Sequence, residues 1–258
     1  MSMAIKSVAI VTGASQGIGK ATAVRLARDF SAVVLAARNK DKLEETASAV
    51  SLSGAETMVC DLDLRDPQSA QIVIKTTLDR FGRIDALLNI AGAVPQINLF
   101  EMTDAQWDDG MALKFHGARR LTMQAWDALK ASNGSAVFIS GSAAFDPKPA
   151  FAAVAAINSA IIALAKAFAE QGIKDGVQVN SVSPGAVMTG RRQSFFEKWA
   201  PAHNLTVDAI RNFPEEVGIA RFGKPEEIAD LLSYLVSPAA KWMTGAALRM
   251  DGGEIKGI

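Results

Sequence analysis

Short runs of β-branched and other apolar residues alternate with longer amphipathic runs along most of the chain. Each short run is nearly continuous in apolar residues and is followed by a helical pattern, which is typical of parallel strands buried on both faces. The pattern therefore predicts an α/β fold, with helices on both sides of a doubly wound parallel sheet. The predicted strands cover residues 7–13, 32–37, 56–60, 84–89, 135–140 and 177–183.

The regular alternation stops after Ser183. Residues 184–223 contain arginines, aromatics and prolines with weak periodicity, and the segment at about 187–222 is expected to form a lid or substrate loop. A helix is predicted to begin at Pro225, and a last strand is predicted at 246–250. Because no linker or internal repeat divides the chain, we expect residues 1–258 to form one domain.

Composition narrows the classes of ligand. The 258 residues are 49% hydrophobic, enough for a large core, and 27 Lys and Arg balance 27 Asp and Glu. No net basic field exists to attract nucleic acid or an anionic membrane, so a small-molecule substrate is favoured. The single cysteine, Cys60, excludes an internal disulfide, and no metal or structural zinc is expected. The N-terminal apolar run is too short for a signal peptide, which favours a cytoplasmic protein.

A glycine-rich stretch, TGASQGIG at residues 12–19, joins the first strand to the first helix. Gly13 permits a tight turn, Gly17 allows the backbone to approach a diphosphate, and Gly19 allows close helix packing. The free N–H groups at the start of a helix favour an anion. This stretch therefore predicts a dinucleotide-binding turn.

The ends of the next strands suggest which dinucleotide binds. Arg38 ends the second strand, and no Asp or Glu lies between Val33 and Lys40 to accept from a ribose 2′-hydroxyl. A guanidinium there matches a 2′-phosphate, so NADP(H) is preferred over NAD(H). The alternative is that Arg38 is a solvated charge. Asp61 can accept from an adenine amino group, and the small residues after Asn89 leave room for a flat ring.

Five stretches in order resemble the short-chain dehydrogenase/reductase family: TGASQGIG, NIAG, VNSVSPG, RFGKPEEIADLLSYLVS and TGAALRMDGG. The resemblance spans nearly the whole chain. It implies a seven-stranded Rossmann-like sheet, a nicotinamide cofactor and a homotetramer or homodimer. The cofactor-binding residues expected from these motifs and the strand ends are Gly13, Ser15, Gln16, Gly17, Ile18, Gly19, Arg38, Asp61, Leu62, Asn89, Ala91, Gly92, Pro184, Gly185, Val187 and Thr189.

The catalytic pattern of that family is not matched. The family places a Tyr and, four residues later, a Lys on the helix after the fifth strand, where the lysine assists proton exchange by the tyrosine. Aligning INSAIIALAKAFAE with that helix puts Val154 at the Tyr position and Asn158 at the Lys position. No change of register supplies the hydroxyl, because the only tyrosine is Tyr234 near the C-terminus.

A lysine occurs at another family position. The Asn of the family's long helix after strand four aligns with Lys114. In this alignment the family's Asn and Lys are exchanged between two helices, as Lys114 and Asn158. The family Ser aligns with Gly141, which Ser140 and Ser142 flank. We hypothesise that Lys114 supplies the ammonium to the ribose or to a developing alkoxide. The alternative is that Lys114 is a surface or helix-bundle residue and that Val154 and Ala155 fill an emptied pocket.

Other candidates have less support. His116 is a candidate acid, but it lies two residues from Lys114 and both cannot easily serve one site. His203 lies in the expected lid. Arg191 and Arg192 are candidates for binding an anion. Phe195, Phe196 and Trp199 either line an apolar pocket or pack the lid or a neighbouring subunit.

Two functions follow from the sequence. The first is an NADP(H)-dependent oxidoreductase that acts on a carbonyl or alcohol without the usual tyrosine. The second is a catalytically degenerate member that binds nucleotide or a partner subunit. The glycine-rich turn supports both, and only turnover separates them.

Overall fold

A computed structural model describes residues 6–190, 192–194, 196–197, 213–216 and 218–257. Seven parallel strands form one sheet in the order β3-β2-β1-β4-β5-β6-β7. This confirms the predicted doubly wound α/β fold. The strands are β1 (Val8–Thr12), β2 (Ala32–Ala37), β3 (Glu56–Asp61), β4 (Ala86–Asn89), β5 (Ser135–Ile139), β6 (Gln178–Pro184) and β7 (Ala247–Met250).

The helices cover both faces of the sheet. They are α1 (Gly17–Leu26), α2 (Lys40–Leu52), α3 (Ser69–Phe81), α4 (Asp104–Gly110), α5 (Ala118–Ser132), α6 (Ala152–Asp175) and α7 (Pro225–Leu235). Between α4 and α5 the chain continues as a π-helical segment, Met111–Gly117. The sequence contains no signal for this widened turn, because its periodicity resembles that of an ordinary helix over so few residues.

The core has one apolar layer on each face of the sheet. On one face Phe138 of β5 packs with Leu121 of α5 and Ile161 of α6. On the other face Val11 of β1 packs with Leu26 of α1 and Leu232 of α7. Successive strand residues alternate between the two layers, which explains why the strands are apolar at nearly every position.

Helix α6 is long and apolar enough to cross a membrane by length and composition alone, with a mean hydropathy of 1.8 over its best window. In this fold it packs on the sheet, and Ile157, Ile161, Ala165 and Ala169 are buried in the core. The core therefore accounts for one apolar face of α6, and 33% of the window is buried.

Part of the segment predicted as a lid cannot be described. Residues 191, 195, 198–212 and 217 lie outside the described residues, and with them the candidates Arg191, Phe195, Trp199 and His203.

Candidate functional site

The order of the strands places a crevice at the carboxyl ends of the parallel strands. From β1 the chain winds outward through β2 and β3, and then returns to form β4 on the other side of β1. The loops after β1 and β4 therefore diverge, and a crevice forms at this switch point. The crevice has a volume of about 830 Å³, in the size range of ligand sites. It is lined by Gly13, Ser15, Gln16, Gly17, Ile18, Gly19, Ala37, Arg38, Asn39, Lys42, Leu62, Leu64, Ile90, Ala91, Gly92, Ala93, Leu113, Lys114, Ile139 and Thr189.

The glycine-rich turn needs its glycines for two different reasons. Gly13 and Gly17 have φ values of +67° and +56°, a left-handed conformation that residues with side chains rarely adopt. A Cβ atom on Gly19 would lie 2.1 Å from the carbonyl oxygen of Gly13, so only glycine fits the close packing of α1 on the turn.

Thr12 fixes this turn to the opposite wall. Its hydroxyl accepts from the backbone N–H groups of Ile90 and Ala91, at 2.9 and 3.0 Å, and donates to the carbonyl of Leu88 at 3.2 Å. One buried side chain therefore joins the ends of β1 and β4. Sequence reasoning did not single out Thr12, because nothing local to it indicates a partner almost eighty residues away.

The N-terminus of α1 fits a diphosphate. Gln16 precedes the helix in an extended conformation, and no described side chain caps the N–H groups of the first turn. No acidic side chain lies in that turn either, so nothing there offsets the partial positive charge of the helix end. The turn and the helix end together form a cradle for an anion.

Cationic side chains lie at the outer end of the crevice. Arg38 follows β2 and is 60% exposed, with its Nη1 3.8 Å from Oδ2 of Asp63. Lys42, in the first turn of α2, donates to Oε1 of Gln16 at 3.2 Å. Sequence reasoning did not single out Lys42. Asn39 caps the start of α2 by accepting from Lys42 N at 2.9 Å, and both residues line the crevice.

Lys114 enters the crevice from the π-helical segment. A Cβ atom on Gly92 would lie 3.0 Å from Cδ of Lys114, so the aliphatic part of the Lys114 side chain passes directly over the backbone at Gly92. The Lys114 ammonium donates to Oδ1 of Asn158 at 2.5 Å and to the carbonyl oxygen of Ser140 at 3.0 Å. Lys114 is half-buried, and it joins the walls formed by β4, β5 and α6.

Asn158 is held from both sides. It is 2% exposed, and its backbone carbonyl oxygen accepts from the Ser140 hydroxyl at 2.9 Å. A Cβ atom on Gly141 would lie 2.7 Å from Nδ2 of Asn158. The absence of a side chain at position 141 therefore makes room for the Asn158 amide, and the two positions depend on each other.

Val154 faces an apolar neighbourhood. It packs against a cluster that contains Val94, Ala153 and Ile157, with Met111 and Trp107 at its edge. The only tyrosine, Tyr234, is 44% exposed on α7, in a different part of the fold. Among the described residues, Val154 thus packs against apolar side chains that carry no hydroxyl group.

Several predicted residues lie behind the crevice or beside it. Asn89 is buried and donates to the hydroxyl of Thr122 at 3.0 Å, and Asp61 is exposed at the end of β3. Ser142 begins a short 3₁₀ turn after β5. Pro184 ends β6, and Gly185 and Val187 lie in the loop that leads from β6 to Thr189. The family resemblance implies that Val187 and Thr189 hold the nicotinamide carboxamide.

His116 does not line the crevice, as far as the described residues show. Its ring packs edge-on against Phe115 at 5.3 Å between centroids. Burial lowers the pKa of His116, and Arg119 and Arg120 lower it further, so the ring is neutral at pH 7. Its geometry and charge state both make His116 a poor proton donor for this site.

The described part of the segment predicted as a lid contains an aromatic cluster. Phe196 is buried, and its ring centroid lies 5.5 Å from that of Phe213 and 5.8 Å from that of Phe222. The guanidinium of Arg192 lies 6.0 Å from the centre of the Phe213 ring. Of the two roles considered for Phe196, packing within the lid is the one that these contacts support.

The fold and the crevice define a dinucleotide-binding protein of the Rossmann type. A family model described as enoyl-(acyl carrier protein) reductase matches residues 13–254. The chain belongs to the short-chain dehydrogenase/reductase family.

Relatives with known names or structures agree with this assignment. The chain is 32% identical to a 3-oxoacyl-(acyl-carrier-protein) reductase of Synechocystis sp. over 96% of each chain. It is 27% identical to the L-sorbose reductase of Gluconobacter frateurii, solved with NADPH and L-sorbose, over 100% of each chain with a TM-score of 0.90. A short-chain dehydrogenase/reductase of Serratia marcescens is 29% identical, with a TM-score of 0.86 over 97% of this chain and 98% of that one.

Proposed function

We propose that this protein is an NADP(H)-dependent oxidoreductase that interconverts a carbonyl and an alcohol at a non-standard site centred on Lys114. The observation that carries the proposal is the position of the Lys114 ammonium, which lies in the crevice and bonds to Asn158 and Ser140. The site thus keeps a cation on the cofactor side although Val154 and Asn158 occupy the positions aligned with the family's Tyr and Lys.

The preference for NADP(H) rests on the outer end of the crevice. Arg38 and Lys42 both line it, and a guanidinium beside an ammonium suits a 2′-phosphate better than a ribose hydroxyl. Asp63, 3.8 Å from Arg38, would compete for that guanidinium until a phosphate displaced it. The NADPH complex of the L-sorbose reductase supports the same choice. Gly13, Gly17 and the N-terminus of α1 would hold the diphosphate.

When bound, NADPH supplies the hydride. The developing negative charge on the substrate oxygen would then be stabilised by the Lys114 ammonium, which is also the proposed proton donor to that oxygen. Asn158 and the Ser140 carbonyl hold Nζ in one place, so the charge is preorganised before the substrate arrives. The Ser140 hydroxyl already donates to Asn158, which leaves Ser142 as the proposed hydroxyl for the substrate.

The second candidate is a catalytically degenerate member that binds nucleotide or a partner subunit. The observation that favours it is the apolar packing of Val154, which fills the place expected for the tyrosine with the side chains of the Val94 and Ile157 cluster. Under this candidate the Lys114 ammonium contributes only to structure or to cofactor binding.

The two candidates are separated by binding and turnover on the same samples. NADPH and NADH are titrated by fluorescence, and NADPH oxidation is then followed against a panel of ketones, diketones, ketoses and 3-oxoacyl thioesters. We expect tighter binding of NADPH than of NADH, and turnover of at least one substrate class. Lys114→Met should reduce kcat/KM about 100-fold or more, the usual cost of losing one group that stabilises an oxyanion.

Lys174→Met is the matched control, because Lys174 is exposed on α6. The control should keep wild-type turnover. NADPH binding without turnover of any panel member would favour the degenerate candidate. Full turnover by Lys114→Met would contradict the role of Lys114, and failure of the wild type to bind either nucleotide would contradict the proposed cofactor.

The remaining proposals concern assembly and location. We expect one domain with a lid at about 187–222, in a cytoplasmic homotetramer or homodimer acting on a small molecule. The support for assembly is the exposure of two large aromatic side chains: Trp242 is 99% exposed, and Tyr234 on α7 is 44% exposed.

A further inference from the structure

The segment after β7 folds back onto the loop that follows β6. The backbone N–H of Ala186 donates to Oε2 of Glu254 at 3.1 Å, and that of Gly185 donates to the carbonyl of Met250 at 3.2 Å. Glu254 is half-buried. Its carboxylate thus holds a loop that lies almost seventy residues earlier in the chain.

The Glu254 carboxylate is presented by a fixed turn. The Asp251 carboxylate accepts from the backbone N–H groups of Gly253 and Ile255, at 3.0 and 3.1 Å. The Glu254 N–H donates to the carbonyl of Asp251 at 3.2 Å. Lys256 extends the anchorage by donating to the carbonyl of Gly218 at 2.8 Å. Because the turn is tied at several points, Glu254 has little freedom to leave Ala186.

The loop after β6 accommodates this contact closely. A Cβ atom on Gly185 would lie 2.6 Å from Oε2 of Glu254 and 2.7 Å from Cα of Asp251. Only glycine therefore allows the C-terminal turn to approach the loop so closely.

The hydrogen bond between Glu254 and Ala186 helps to position one wall of the crevice. Three residues after Ala186, Thr189 lines the crevice, and its Cγ2 lies 3.4 Å from the position of a Cβ atom built on Gly17. Between them, Met188 N–H donates to the Gly223 carbonyl at 2.8 Å. Glu254 and Gly223 thus hold the stretch 186–189 from two sides and fix the position of Thr189.

We propose that Glu254 is a positioning residue for the nicotinamide half of NADP(H), acting through the Ala186–Thr189 stretch. The proposal rests on the NADP(H) binding proposed above. The proposed role of Glu254 concerns only the nicotinamide half of the cofactor. Arg38 and Lys42, which are proposed to bind the 2′-phosphate, lie at the other end of the crevice and do not depend on Glu254.

The test compares NADPH with adenosine 2′,5′-bisphosphate, which has the adenosine half of the cofactor and no nicotinamide. Both are titrated by fluorescence or calorimetry against the wild type, Glu254→Ala and Glu254→Gln. We expect Glu254→Ala to weaken NADPH binding about tenfold, the effect of leaving one backbone donor without its charged acceptor. Binding of the bisphosphate should stay within about twofold of wild type. Glu254→Gln should bind NADPH nearly as well as wild type, because its amide oxygen can accept from Ala186.

Glu226→Ala, at an exposed position on α7, is the matched control and should bind both ligands normally. Equal weakening of both ligands by Glu254→Ala would show a general loss of structure and overturn the proposal, as would an unchanged affinity for NADPH. If the wild type bound neither ligand, the proposed cofactor itself would be wrong. That result differs from one in which the wild type and Glu254→Ala bind NADPH equally well, which would overturn only the role of Glu254.

Discussion

At the scale of single residues, Gly141 and Asn158 form a mutually dependent pair. Gly141 has a φ of 169°, an extended conformation open to any residue, so its backbone does not require glycine. The restriction comes from the Asn158 amide, whose Nδ2 would lie 2.7 Å from a Cβ atom at position 141. A side chain at 141 therefore fits only if the amide of Asn158, the same asparagine that holds Lys114, moves.

Because positions 141 and 158 depend on each other, a methyl group added at position 141 should affect turnover. Gly141→Ala should displace the Asn158 amide and weaken its bond to Lys114, lowering kcat about tenfold through loss of one charge-assisted hydrogen bond. NADPH affinity and the thermal midpoint should change little, because the backbone conformation tolerates alanine. Steady-state kinetics with a substrate from the panel, alongside an NADPH titration, measure both effects.

Gly257→Ala is the control for adding a methyl group, since a Cβ atom there would meet nothing within 4 Å. It should keep wild-type kinetics. A Gly141→Ala variant with unchanged kcat would show that the precise position of Asn158 does not matter for turnover.

The same geometry bears on restoring the family's usual pair. Val154→Tyr with Asn158→Lys would place a second ammonium beside Lys114 and remove its side-chain acceptor. Like charges so close together are unfavourable. Restoration of a tyrosine and lysine therefore requires a change at Lys114 as well, a conclusion that follows from the Lys114 to Asn158 contact.

At the scale of helices, Asp175 joins α5 to the C-terminus of α6. Its carboxylate accepts from Gln171 Nε2 at 2.8 Å, Trp126 Nε1 at 2.8 Å and Lys130 Nζ at 3.1 Å. The hydrogen bond from Gln171, followed by those from Trp126 and Lys130, lowers the pKa of Asp175 to about 2. The charged form is thus favoured in the folded protein.

A depressed pKa of this kind adds stability above the carboxyl pKa of the unfolded chain, about 3.9, and the contribution is lost as the pH falls towards 2. We therefore expect Asp175→Asn to lower the thermal midpoint at pH 7. The difference from wild type should shrink as the pH falls from about 5 to 3, because Asp175 then takes up a proton in the unfolded chain while it stays charged in the folded protein. Calorimetry across this range measures it.

Asp127→Asn supplies the comparison on α5, because Asp127 is exposed. It should leave the thermal midpoint nearly unchanged at each pH. A deficit of Asp175→Asn that stayed constant from pH 7 to pH 3 would show that the carboxylate charge is not the source of the stability.

At the scale of the whole molecule, the proposed cofactor would contact both halves of the sheet. The crevice runs from Arg38 after β2 to Lys114 and Thr189 on the far side of β1. A ligand that binds only the folded state stabilises the entire cooperative unit by mass action. Cofactor preference is therefore measurable as a change in global stability.

NADPH at one hundred times its Kd should add about 2.7 kcal/mol to the free energy of unfolding, or about 5 to 10 °C in the thermal midpoint. The same concentration of NADH should give a smaller shift. In Arg38→Ala the NADPH shift should fall towards the NADH shift, because the guanidinium no longer pairs with the 2′-phosphate. Thermal scans with each nucleotide test this.

Arg28→Ala removes an exposed arginine elsewhere and should keep the wild-type difference between the nucleotides. Equal shifts by NADPH and NADH in the wild type would contradict the proposed preference. If the preference for NADPH persisted in Arg38→Ala, another cation would bind the 2′-phosphate. Lys42, which also lines the crevice, is then the candidate.

The sequence by itself determined the architecture and the glycine-rich turn that lines one end of the crevice. Apolar runs at nearly every strand position predicted a sheet covered on both faces, and the glycines at positions 13, 17 and 19 predicted the turn. These features are local: alternation, spacing and backbone freedom are properties of neighbouring residues, so they are visible along the chain. The sequence also predicted Lys114 as a candidate, although only by alignment.

Only the tertiary structure decided which distant residues meet. Lys114 reaches Asn158 because a π-helical segment sets its direction, and neither the π-helix nor the contact has a local signal. The same holds for Thr12 with the end of β4, and for Glu254 with Ala186. Each contact joins segments between 44 and 78 residues apart in the chain, so it depends on how strands and helices pack rather than on any pattern of neighbours.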